Sequence, residues 1–115
     1  MTGIQGSTPA LSSLSAEQVV ALPLETLARS VVGDLMRPGG STPNISGWLH
    51  RVRRDYRQLK DPEALGAISE AVAWLRLRMI IVDDLRPKSE GDWVMLSRQG
   101  AQWLRGGPLP LDATG

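Results

Sequence analysis

Apolar positions recur at helical spacing through much of the chain, and then the period changes. Ser15-Ala16-Glu17-Gln18 has the spacing of a capping box, in which a serine oxygen and a glutamine side chain satisfy backbone donors left free at a helix start. A short helix is predicted from there. Pro23 interrupts it, but proline suits a first helical position, and Leu24, Leu27, Ala28, Val31 and Leu35 carry a second helical stripe to about Met36. Pro38-Gly39-Gly40 ends it.

Asn44 is a plausible N-cap for a helix whose Ile45, Trp48, Leu49, Val52, Tyr56 and Leu59 form one stripe. Asp61-Pro62-Glu63 then supplies a cap, a first-turn proline and an acidic residue near the positive helix end, the clearest helix start in the chain. That helix is predicted to run to about Leu77, burying Leu65, Ile68, Ala71, Val72 and Leu75, with Met79 beyond. The β-branched run Ile80-Ile81-Val82, a polar turn from Pro87 to Asp92 and the stretch Trp93 to Leu96 predict a hairpin. Ser97 can cap a last short helix containing Ala101, Trp103 and Leu104, which Gly106-Gly107 stops. Residues 1–14 and 106–115, rich in Gly, Ser, Thr and Pro, read as flexible tails around a single domain at 15–105. The expected class is mainly α with a small β-hairpin: a three-helix core, a wing and a short C-terminal helix.

The order of helix, helix, helix, hairpin and terminal helix resembles a winged-helix (winged helix-turn-helix) domain over roughly residues 23–105. The resemblance is carried by Glu70-Ala71-Val72-Ala73-Trp74-Leu75, then Ile80-Ile81-Val82, then Trp93-Val94-Met95-Leu96-Ser97-Arg98-Gln99-Gly100. There a third helix feeds a wing whose last strand runs into a serine, a basic residue and a glycine. The same segment is similar to one in bacterial proteins associated with abortive infection. One departure stands out: many members place glycine after the third helix, where a left-handed residue is easiest, and this chain has Arg78-Met79.

Composition narrows the picture little. At 115 residues, 42% apolar and 22% charged, the chain can bury one core without staples, and its longest apolar runs fall far short of a membrane span. The first residues lack the basic start and apolar stretch of a secretory signal, which together with the absence of cysteine predicts a cytoplasmic protein. Lacking cysteine also excludes thiol catalysis, disulfides and cysteine-based metal sites.

Charge is more informative. Net charge is +1, yet between His50 and Lys60 five basic residues, Arg51, Arg53, Arg54, Arg57 and Lys60, face a single Asp55. They could contact phosphates, or form a solvated face in which Arg51 pairs with Asp55 one helical turn on. Arg76 and Arg78 could reach nearer the bases, with Lys88 adding a phosphate contact from the wing. Against base reading, the outward face of the third helix is predicted to present Glu63, Gly66, Ser69, Glu70 and Ala73, with Trp74 on its flank. Carboxylates repel phosphates, whereas this small-residue face could admit another protein, and Trp74 could anchor it or pack in the core.

Two functions are therefore carried forward, neither enzymatic: binding of double-stranded DNA, with transcriptional regulation as its use, and protein interaction, as a homodimer or an adaptor in bacterial defence. Enzymatic constellations are poor. His50 sits among arginines on an exposed face; adjacent Asp83 and Asp84 point to opposite sides of a strand and read as a solvated strand end; Ser97 lacks a nucleophile-elbow context; and Gly39-Gly40-Ser41-Thr42 lacks the Gly-Lys-Ser/Thr of a phosphate loop. No cofactor, metal or membrane partner is expected.

Overall fold

Each of the four side-chain caps that the sequence suggests closes a helix start. The computed structural model describes residues 8–37, 43–86 and 91–109. Helix α1, Ala16–Ala21, opens on the complete Ser15/Gln18 capping box, and α3, Ile45–Asp55, on Asn44, whose side chain accepts from the Gly47 amide. Asp61 accepts from the Glu63 and Ala64 amides at the start of α4, Pro62–Leu77, and Ser97 accepts from the Gly100 amide at the start of α5, Arg98–Leu104. Helix α2, Leu24–Leu35, follows Pro23 without a side-chain cap.

Helix α4 lies at the centre, with α1 and α2 packed on it. Its buried row is Ala64, Ile68, Ala71 and Leu75, rotated slightly from the expected stripe, so that Leu65 and Val72 are half-buried at its edges. Alanine at two of these four positions lets neighbouring helices approach closely. From α2 come Leu27, Ala28, Val31, Val32 and Leu35, while Leu24 stays exposed.

Strands β1, Ile81–Asp83, and β2, Val94–Leu96, pair antiparallel with Ile81 opposite Leu96 and Asp83 opposite Val94. The chain entering α3 lies alongside: the Val94 amide donates to the Pro43 carbonyl at 3.1 Å and the Ile45 amide to the Asp92 carbonyl at 3.0 Å. This fixes the hairpin to the start of α3. The fold class is thus mainly α with a two-stranded antiparallel hairpin, as the sequence predicts.

Four details differ from the sequence reading. The described residues of the supposed N-terminal tail, 8–14, are packed: Leu11 is 1% exposed within a short 3-10 turn, Leu14 joins the core, and the Ser30 hydroxyl donates to the Pro9 carbonyl. Burying each such leucine contributes about 1.5–3 kcal/mol, which offsets the cost of ordering roughly one or two residues. Similarly, residues 106–109 are held at their start by the Gly107 amide donating to the Gln102 carbonyl, and Leu109 packs against the core. Helix α3 stops at Asp55 and Leu59 is buried from a separate 3-10 turn, because a helix running to Leu59 would leave only Lys60 to turn the chain before the Asp61 cap. Finally, the left-handed residue after α4 is present, but it is Met79, with φ 55°. The Met79 amide donates to the Arg76 carbonyl and the Ile80 amide to the Leu75 carbonyl, closing the helix as a Schellman motif.

Candidate functional site

The basic segment from His50 to Lys60 divides into two groups once its side chains are placed. Arg51 is half-buried and turns inward, donating to Asp34 of α2 at 3.3 Å instead of pairing with Asp55. Asp55 is taken by its neighbour Arg54, which lowers the Asp55 carboxyl and raises the Arg54 guanidinium from their usual values through the hydrogen bond between them. Such an exposed pair contributes little stability. Arg53, Arg57 and Lys60 are exposed. No ion pair joins them to a described residue. His50, Arg53, Arg54 and Lys60 line a shallow depression with Leu65, at the junction where α3 hands over to α4.

Asp34 explains why Arg51 leaves this group. Near the C-terminal end of α2 its charge opposes the helix dipole, so it needs compensation from elsewhere. It accepts from the Trp48 indole and the Tyr56 hydroxyl, each at 2.7 Å, and from Arg51 and Arg37 at 3.3 and 3.4 Å. Burial first, then the bond to Asp34, pushes the Tyr56 phenol above its usual value.

At the other end of α4, Arg76 is exposed and pairs with Asp83 of β1 at 3.1 Å. Arg78 is half-buried with its guanidinium 5.5 Å from the Trp74 ring centre. Trp74 packs on the flank of the core, its ring 5.8 Å from that of buried Trp103 and tilted by 51°. The expected outward face is exposed at Glu63, Gly66, Ser69, Glu70 and Ala73, and it continues into Leu77, which is 78% exposed. Lys88 lies outside the described residues, as does the Gly39–Thr42 loop.

Asp84 corrects the reading of a solvated strand end. Only 1% of its side chain is exposed, because Arg86 folds back over it and donates from Nε and an amino group at 2.8 Å each and from its amide at 3.1 Å. These bonds hold the Asp84 carboxyl down to about 2 and raise the Arg86 guanidinium. Asp83 stays exposed on the opposite side, paired to Arg76. Among the described residues, no group of three or more His, Asp or Glu side chains is placed to hold a metal ion, and no helix is long and apolar enough to cross a membrane.

One feature escaped the sequence reading. A cavity of about 890 Å³ opens between residues 8–11, α2 and the end of α5, and Arg29, Arg37 and Arg105 line it. These residues are dispersed along the chain, so charge counting in a window does not find them.

No family model matches the chain, and no curated protein or solved structure matches it.

Proposed function

We propose that the chain is a winged-helix nucleic-acid-binding module that holds a duplex by its phosphates rather than by reading its bases. The observation that carries this is the exposed set Arg53, Arg57 and Lys60, without carboxylate partners among the described residues, at the α3–α4 junction. The attachment of the hairpin to the start of α3 supports the winged-helix frame, since it sets a wing beside a helix pair. Glu63 and Glu70 on the outward face of α4 disfavour its entry into a groove, so binding should be indifferent to sequence.

The test is titration of a random duplex at several salt concentrations. Affinity should fall steeply with salt, and reversing Arg53, Arg57 and Lys60 to glutamate should flatten the slope by roughly 2–3. Absence of binding at low salt and tens of micromolar protein, on the order expected for nonspecific contacts, overturns the reading, and so does a reversed variant that binds like the parent.

A second reading is supported by Leu77, whose exposure extends the small-residue face of α4 with an apolar end. In that reading Glu63, Gly66, Glu70 and Ala73 receive another protein, as in an adaptor. Replacing Glu63 and Glu70 by lysine tests it: a protein partner recovered by pulldown with the parent chain should be lost with the variant, whereas unaffected duplex binding together with no recoverable partner counts against this second reading.

A further inference from the structure

We infer that the cavity between α2, the N-terminal segment and the end of α5 binds a small phosphorylated organic molecule, independently of any nucleic-acid surface. Its wall carries Arg29, Arg37 and Arg105 against one carboxylate, Asp34. Asp34 is already engaged by Arg37, Arg51, Trp48 and Tyr56, so its charge is spoken for.

Arg29 is the central group. It is half-buried, its guanidinium lies 4.1 Å from the ring centre of Trp103, and one amino group donates to the Trp103 carbonyl at 3.2 Å. An indole face and a neutral carbonyl orient a guanidinium without neutralising it. Neither Arg29 nor Arg105 has a carboxylate partner among the described residues. A fixed, partly desolvated cation facing a cavity strongly favours an anion there, and the forked donors of arginine match phosphate oxygens.

Gly33 is the second observation. It sits within α2 on the cavity wall, where glycine costs about 1 kcal/mol relative to alanine. Apart from its chain neighbours and the adjacent backbone of α2, no atom of the described residues lies within 4 Å of where its Cβ would be, and its backbone conformation does not require glycine. Among the described residues no neighbour demands the missing side chain; a ligand approaching the helix backbone would. The volume, about 890 Å³, exceeds what an inorganic ion needs and falls in the range of small-molecule sites, with Leu104 and Ala10 available to an apolar moiety.

The experiment follows amide and arginine side-chain NMR signals of the full chain during titration with AMP, adenosine and inorganic phosphate. AMP should saturate with a Kd below about 1 mM, moving Arg29, Gly33 and Leu104, and adenosine should bind at least about tenfold more weakly. Gly33→Leu should abolish AMP binding while the fold and duplex binding persist, and Arg105→Ala should weaken AMP about fivefold or more. No saturation by AMP or phosphate at about 10 mM, equal binding of adenosine, shifts confined to Arg53 and Lys60, or normal binding by Gly33→Leu each overturns the proposal. Because duplex binding is read on the same variants, failure here is distinguishable from failure of the nucleic-acid reading.

Discussion

The indole nitrogen of Trp48 donates to a carboxylate oxygen of Asp34 at 2.7 Å, and this bond ties α3 to α2. Tyr56 and two arginines complete the ring of donors around the same carboxylate. An indole that is 4% exposed cannot turn to water if its acceptor is lost. Asp34→Ala should therefore destabilise the domain by about 2–4 kcal/mol, since it leaves a buried donor and a half-buried guanidinium without a partner. Asp34→Asn, which retains an acceptor, should lose less. Chemical denaturation of the two variants checks this, and equal losses would mean that the charge is what matters.

Gly100 has a different kind of necessity. A Cβ at this buried position would stand 2.4 Å from the Ile80 carbonyl oxygen, the same oxygen that accepts from the Ser97 amide. Backbone cannot yield as a side-chain tip can. Gly100→Ala should cost about 1–3 kcal/mol by overpacking, even though alanine is the better helix former. A thermal midpoint at or above that of the parent would show that α5 can lift from Ile80.

Met79 occupies a conformation that suits glycine, with φ 55°, and its side chain is 49% exposed. Relief of the left-handed penalty, roughly 1–2 kcal/mol, outweighs the modest packing that glycine forfeits. Met79→Gly should stabilise by about 0.5–1 kcal/mol. Met79→Ala is the control: if alanine stabilises equally, the gain does not come from the backbone.

The Asp84–Arg86 pair predicts a pH dependence with a definite sign. The folded carboxyl sits at about 2, below the ordinary aspartate value, so on acidification the unfolded chain takes up this proton first. The contribution of the pair is complete above about pH 5 and fades as pH falls through about 4 towards 2. Denaturation at several acidic pH values should show a smaller loss for Asp84→Asn than for the parent. Parallel loss in the two proteins would remove Asp84 from the account.

Local chemistry made most of the fold legible. Ser15, Asn44, Asp61 and Ser97 each announce a helix start because a cap needs only a side chain and the next few amides. What the sequence hides is long-range. Asp34 meets Trp48 and Tyr56 across two helices, and Arg29 finds Trp103 across 74 positions of sequence separation. Arg51 illustrates the consequence for function: spacing offers it Asp55, but the fold delivers Asp34, a more buried acceptor. Leu11 and Leu14 were hidden for another reason, since two apolar residues amid Ser, Thr and Pro show no period. Arg78-Met79 in place of the family's glycine suggests a differently shaped turn after α4, yet the left-handed turn is kept: the Leu75 and Arg76 carbonyls impose it and methionine adopts it.

Trp74 separates packing from recognition. Half-buried beside Trp103, with the Arg78 guanidinium 5.5 Å from its ring centre, it contributes to a tilted aromatic pair that bridges α4 and α5. Loss of that pair and of the indole's covered area should make Trp74→Ala unfold more easily by about 2–4 kcal/mol, below the full cost for a completely buried tryptophan. Trp74→Phe should recover much of the loss, because an aromatic edge still reaches the Trp103 ring. An unchanged melting temperature in Trp74→Ala would instead mean that the indole adds nothing to the isolated domain. Its exposed edge would then extend the Glu70 and Ala73 face towards a protein partner, and the nucleic-acid reading would lose ground to the adaptor reading.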